Sequence, residues 1–484
     1  MLQVTKQLNM AMVNDFYELT MANGYLKSGL ADQIAYFDMF FRRVPDDGGV
    51  AIMAGVEQLI DELKDLHFDE DDIAYLRSRQ IFSEVFLQYL ADFKFSCDVW
   101  AIPEGTPVFP YEPIITVRGP ALQAQLIETL VLLTINHQTL IATKTNRIVR
   151  AAGNRPVMEF GTRRAQGAHG AVLGARAAYI GGAVGTACTA ADKDYGIPAL
   201  GTMAHSWVQM FSSELEAFRE YARIYPKNCT LLVDTYNVLK SGIPNAIRIF
   251  REELLPKGIR PGGIRIDSGD IAYLSRQARK MLDEAGFTDC KIVASNSLDE
   301  FIIQDILTQG AKLDAFGVGE RLITAKSDPV FGGVYKLAAI EVSGELIPKI
   351  KLSENVEKIT NPGHKQVWRL YENATGKAVA DVITLFEEVI DDQKPYEIFH
   401  PEFTWKRKIV SSFTAKPLLV PIFKAGECVY AQPSLDDIRA YREQEIATIW
   451  EEVLRFTNPH PYYVDLSKSL WNMKEDLLLT HTIK

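Results

Sequence analysis

Gly263-Ile264-Arg265-Ile266-Asp267-Ser268-Gly269-Asp270 is the stretch that decides the fold. A short apolar run ends on a carboxylate and a Ser-Gly turn. A run with helical spacing follows, from Ile271 to Ala285. That is a strand feeding a helix, one βα unit. The unit recurs on both sides. Upstream, Pro156 to Gly161 reads as a strand before a helix over Gln166 to Tyr179. Gly196 to Ala204 reads as a strand before a helix over 206–222, and Thr230 to Asp234 as a strand before a helix over Gly242 to Leu255. Downstream, Lys291 to Ser295 precedes a helix over Leu298 to Gln309, and Ala315 to Val318 forms a last strand. Short strands alternating with helices predict an α/β protein with a parallel sheet. Polar residues close almost every strand, which favours a (β/α) barrel, since a barrel gathers its strand ends at one mouth. An open dinucleotide-binding sheet carries GxGxxG after its first strand. No such motif follows a strand here.

The flanks are less regular. Within residues 1–150, Asn14 to Leu26, Gly55 to Leu66 and Phe82 to Phe93 read as helices, and Ile34 to Phe41 as a strand. Pro103, Pro107, Pro110 and Pro113 suit short edge strands and turns. Leu122 to Ala152 reads as one long helix or a kinked pair. Beyond 340, Val367 to Tyr371 and Ala378 to Leu385 are strand-like, and Ser434 is placed to cap a helix over 434–457. The expected organisation is an α+β domain over 1–150, a catalytic barrel over 151–340, and an extension over 341–484 that packs on the N-terminal part.

The chain has 484 residues, too many for one simple core. Its 52 basic and 62 acidic residues leave a formal charge of -10, which argues against broad nucleic-acid binding but allows a local phosphate pocket. Five cysteines stand far apart with no CxxC, so neither a zinc site nor a disulfide framework is expected, and a reducing cytoplasm is. No segment reads as a signal peptide or a membrane span.

The strand ends carry chemistry. Arg163 and Arg265 can clamp a carboxylate or phosphate through paired N–H groups. Gly317 and Gly319 permit a turn that aims backbone N–H groups at a phosphate. Asp267 and Asp270 can bind ribose hydroxyls or Mg2+. Phe160 offers a face to a flat ring. His205, at a strand-to-helix junction in Gly201-Thr202-Met203-Ala204-His205-Ser206, can move a proton or accept a phosphoryl group, with Asp234 holding its ring. Singly, each residue reads equally well as a helix cap or a salt bridge. A succession of polar strand ends is harder to explain by stability alone.

These motifs, with Asn14-Asp15-Phe16-Tyr17-Glu18-Leu19-Thr20-Met21, Phe160-Gly161-Thr162-Arg163-Arg164-Ala165-Gln166-Gly167 and Gly317-Val318-Gly319, resemble the nicotinate phosphoribosyltransferase family over nearly the whole chain. The resemblance implies an irregular TIM-like barrel of the type II phosphoribosyltransferase kind. It implies ATP-coupled condensation of nicotinate with phosphoribosyl pyrophosphate, with Mg2+, to give nicotinate mononucleotide and pyrophosphate. It places the phosphorylated histidine on His205 and its carboxylate partner on Asp234. Nicotinate contacts fall on Tyr17, Thr202 and Arg265, with Phe160 and Arg163 beside the ring and the phosphate. The phosphoribosyl site falls on the turn from Gly317 through Gly319 to Glu320, with Asp267 nearby. Tyr17 would come from a neighbouring subunit, so a homodimer with shared sites is expected. Nicotinamide phosphoribosyltransferase is the nearest alternative. That relative carries an acidic residue near the ring, whereas Gly181-Gly182-Ala183-Val184-Gly185-Thr186 holds no carboxylate, which favours the acid substrate.

Overall fold

The computed structural model describes residues 8–403 and 405–482. The chain divides into two units, one over Leu140–Pro329 and one joining Met1–Thr139 to Val330–Lys484.

The Leu140–Pro329 unit is α/β. Its strands are β1 (Val157–Glu159), β2 (Thr230–Leu232), β3 (Gly263–Ile266), β4 (Lys291–Ser295) and β5 (Ala315–Val318). They pair in the order β1-β5-β4-β3-β2, every pair parallel. Ile264, Ile266, Ile292, Ala294, Phe316 and Val318 are all buried. A parallel strand covered on both faces loses hydrophobic alternation, which explains the continuous apolar runs. Helices Gly167–Gly181, Glu214–Ile224, Ile271–Glu284 and Glu300–Thr308 connect the strands.

The expected strand over Gly196 to Ala204 does not form. Beyond β1 the sheet continues only as single parallel bridges, Glu159 to Thr186 and Thr186 to Ala199. Pro198 has no N–H to donate and Gly201 weakens any extension, so apolarity alone misreads this run. Among the described residues, no backbone ladder links this segment to β2. The expected helix over 206–222 is two helices, His205–Gln209 and Glu214–Ile224. Ser213 restarts the helix by accepting the Glu216 N–H through its hydroxyl at 3.2 Å.

The other unit is α+β. Ile34–Phe41 lies between Ile115–Pro120 and Gly333–Val342 in a seven-stranded sheet, antiparallel to both. Lys365–Glu372 and Ala378–Leu385 pair antiparallel in a six-stranded sheet. The long apolar run is a kinked pair, Ala121–Leu126 and Glu128–Ala152. Ser434 caps Leu435–Thr448, and Ile449 turns extended, so this helix is shorter than expected. The five cysteines are free. No helix is long and apolar enough to cross a membrane among the described residues.

Candidate active site

The strand registers bring the polar ends into one row. Arg265 pairs with Leu232 and Val293, and Gly317 pairs with Ser295. Side chains two apart on a strand share a face. Arg265 and Asp267 therefore lie on one side of the sheet with Ser295 and Gly317.

Arg265 Nη1 donates to Thr202 Oγ1 at 2.6 Å. Its Nε is buried without a hydrogen-bond partner. Burial lowers the Arg265 pKa against the pull of Asp267 and Asp234, and the charge of Arg163 lowers it further. Arg163 is exposed on the single turn Thr162–Arg164. A guanidinium that is part-desolvated, with an idle N–H, is built to accept an anion.

His205 opens the helix His205–Gln209. Its Nδ1 lies 3.1 Å from Thr235 Oγ1. Its Nε2 lies 3.7 Å from Asp267 Oδ2. The expected partner, Asp234, is occupied elsewhere. Its Oδ2 accepts the Asp267 N–H at 2.9 Å and the Ser268 hydroxyl at 2.6 Å. The ring is thus hydrogen-bonded by Thr235 and faced by the Asp267 carboxylate, and Asp234 acts on the backbone that carries Asp267. Asp234 is 9% exposed, and its Oδ1 is buried with no partner. An unpaired buried carboxylate oxygen is costly and is satisfied by a donor from water or a ligand.

Phe160, at the end of β1, explains Gly317. A Cβ at Gly317 would sit 2.5 Å from Phe160 Cδ2, so only glycine admits the ring there. Below it, buried Glu159 accepts from the Gly161 N–H and, at 2.5 Å, from the Thr186 hydroxyl. Burial raises the Glu159 pKa.

The Gly319–Glu320 turn begins a short helix, Glu320–Ile323. Lys326 Nζ holds the Glu320 carboxylate at 2.6 Å and Arg164 Nε stands at 3.9 Å. The Lys326 hydrogen bond lowers the Glu320 pKa. Asp270 is likewise spoken for, accepting the Tyr273 N–H at 2.8 Å as cap of Ile271–Glu284.

Tyr17 belongs to the other unit. It is 44% exposed on Phe16–Lys27 and lines a cavity of about 500 Å³ with Met21, Phe37, Glu128, Tyr335 and Lys336. Burial and Glu128 raise its pKa.

The chain matches the models of the nicotinate phosphoribosyltransferase N-terminal domain over residues 12–136, of the family over 156–374 and of its C-terminal domain over 364–474. The nicotinate phosphoribosyltransferase of Bacillus subtilis is 44% identical over 97% of this chain and 95% of that protein. This chain belongs to the nicotinate phosphoribosyltransferase family. The Dictyostelium discoideum member is 34% identical over 97% of this chain and 88% of its own length. The crystal structure of human nicotinic acid phosphoribosyltransferase superposes with a TM-score of 0.86 at 28% identity, over 96% of this chain and 99% of that one.

The segment read for ring selectivity runs alongside β1, with Thr186 bridged to Glu159. The Val184 N–H bonds the Val157 carbonyl, at the start of β1 and away from Phe160. Just beyond it, the Ala187 N–H bonds the Glu159 carbonyl at 2.8 Å. Ala187 too is uncharged. Thr235, Ser268 and Ser295 went unassigned in the sequence. Their signal was position, beside Asp234 and Asp267 and at the end of β4, but a hydroxyl there reads equally as a cap.

Proposed function

We propose that this chain transfers phosphoribosyl from phosphoribosyl pyrophosphate to nicotinate, with hydrolysis of ATP, in pyridine nucleotide salvage. The observation that carries the reading is Arg265, bonded to Thr202 and left with an idle buried N–H. It suits the carboxylate of nicotinate, and Phe160 suits the flat ring. Nicotinamide carries no such charge, so a nicotinamide enzyme is the weaker alternative.

The pyridine nitrogen attacks the ribose C1, the C1–O bond breaks, and pyrophosphate leaves with the electron pair. The positive charge ends on the pyridinium. Catalysis is positioning plus charge stabilisation, with Asp267 and Asp234 beside the cation that develops at the ribose. The 5-phosphate meets the Gly317, Gly319 and Glu320 turn, with Arg163, Arg164 and Lys326 supplying positive charge. Glu320, tied to Lys326, orients that lysine. A ring nitrogen of His205 takes the γ-phosphoryl of ATP, the bond to the β-phosphate oxygen breaks, and ADP leaves. Water later returns the imidazole and phosphate. Among the described residues no cluster of three or more His, Cys, Asp or Glu could hold a metal. Asp267, one-third exposed, would hold a Mg2+ carried by the diphosphate through water. There the ion would neutralise charge on the leaving group.

The strand-end row suits an irregular TIM-like barrel, with catalysis in 151–340, an α+β domain over 1–150 and an extension over 341–484 on the N-terminal part. Tyr17 of the partner subunit would complete a shared site in a homodimer. Free, mostly buried cysteines suit the cytoplasm.

The test is product formation from labelled nicotinate and labelled nicotinamide, each with phosphoribosyl pyrophosphate and Mg2+, with and without ATP. ATP-stimulated turnover of nicotinate is expected. Preference for nicotinamide, or no turnover of either, refutes the reading.

A further inference from the structure

Ser295 has no role in the reaction as described so far, yet it is placed to control Asp267. It is the last residue of β4 and is 5% exposed. Val293 and Ala294 of β4 pair with Arg265 and Ile266 of β3. Extending that register sets Ser295 beside Asp267, on the face that carries Arg265. The Ser295 hydroxyl donates to Asp267 Oδ1. Oδ2 of the same carboxylate is the oxygen 3.7 Å from His205 Nε2. A carboxylate can swing about its terminal torsion, which is broad and soft. The Ser295 bond stops that swing and presents one named oxygen to the histidine.

The backbone supports this placement. Asn296 and Ser297 follow with φ of 86° and 45°, two consecutive non-glycine residues in the left-handed region. Such conformations cost free energy and persist where the surroundings impose them, often at functional sites. Here the strand stops sharply, with Ser295 as its last inward-facing side chain.

We infer that Ser295 is a positioning residue that acts on His205 through Asp267. Asp234 fixes the Asp267 backbone, Ser295 fixes its carboxylate, and the oxygen left over orients the imidazole for phosphoryl transfer. This rests on His205 accepting the phosphoryl group as proposed above.

The test compares wild type, Ser295→Ala and Ser295→Thr. The readouts are incorporation of label from γ-labelled ATP into the enzyme, the KM for nicotinate and thermal stability. Wild type comes first, because failure of its own labelling would refute the phosphohistidine reading and not the role of Ser295 alone. Given labelled wild type, Ser295→Ala is expected to label about tenfold more slowly, the scale of one charge-assisted hydrogen bond. Its KM for nicotinate should stay unchanged, because Arg265 and Thr202 are untouched. Ser295→Thr keeps the hydroxyl and should restore the rate. Unchanged labelling in Ser295→Ala overturns the inference. So does a loss that Ser295→Thr fails to restore, or one matched by a higher KM and a lower melting temperature.

Discussion

At the scale of single residues, His205 and Gly317 make separable predictions. His205 is 39% exposed in its side chain, so trimming it leaves little void. His205→Ala is expected to keep its melting temperature and lose both ATP-stimulated turnover and incorporation of label from ATP, retaining slow ATP-independent transfer. Melting curves and the two assays check this together, and undiminished ATP hydrolysis would remove His205 from the mechanism. Gly317 works through shape. Its Cα is the floor under the Phe160 ring, and an added Cβ would meet that ring at 2.5 Å. Gly317→Ala should cost about 1–3 kcal/mol by overpacking. Because the ring moves, the KM for nicotinate should rise as well, a pairing of effects that a purely structural glycine would not give.

At the scale of elements, Asp270 illustrates how a residue with a chemical look can have a local job. It caps Ile271–Glu284 through the Tyr273 N–H. Asp270→Ala should cost about 1 kcal/mol, visible by denaturant titration, while Asp270→Asn, which can still cap, should cost much less. The strands Gly263–Ile266, Lys291–Ser295 and Ala315–Val318 were legible to within a residue because short apolar runs stood between helical periods. The stretch 196–204 misled for the same reason, its apolarity outweighing Pro198 and Gly201. The polar strand ends were legible too, because the apolar runs stopped abruptly at them. What could not be read was who bonds whom. Partners depend on register and side-chain rotamer at the strand ends, even though β2, β3, β4 and β5 are neighbours in sequence order and only β1 lies out of it, beside β5. The rotamer that turns Asp234 Oδ2 to the Asp267 N–H and the Ser268 hydroxyl, and the one that turns the Ser295 hydroxyl to Asp267, leave no trace in the sequence pattern.

At the scale of the whole molecule, a buried acid makes stability depend on pH. Glu18 is fully buried on Phe16–Lys27. Its Oε1 accepts the Thr129 N–H at 3.0 Å and the Thr129 hydroxyl, while its Oε2 has no partner. Burial pushes its pKa from 4.5 up to about 7, with Glu128 adding to the rise against the Thr129 bonds. The folded state then holds the proton more tightly than the unfolded chain. The stabilisation is complete below the unfolded value and is lost as pH rises through about 7. Melting temperatures between pH 5 and 8 should fall with rising pH, through a loss on the order of 1–3 kcal/mol. Glu18→Gln should flatten that slope, and an equal slope in the variant would assign the effect to another group. The Leu140–Pro329 unit has its own dependence, on ligands. Where no backbone ladder joins the Ala199 segment to β2, side chains reach across instead: Thr202 to Arg265 on β3, and His205 to Thr235 just after β2. On the function proposed above, nicotinate would compete for the first, and a phosphoryl group on His205 would alter the second. The fasteners of this seam are the same side chains proposed to bind nicotinate and take the phosphoryl group, so each catalytic cycle would loosen and retie it. Amide hydrogen exchange over residues 199–205 should therefore change with nicotinate and again with ATP, making that stretch a clock for turnover that needs no labelled substrate.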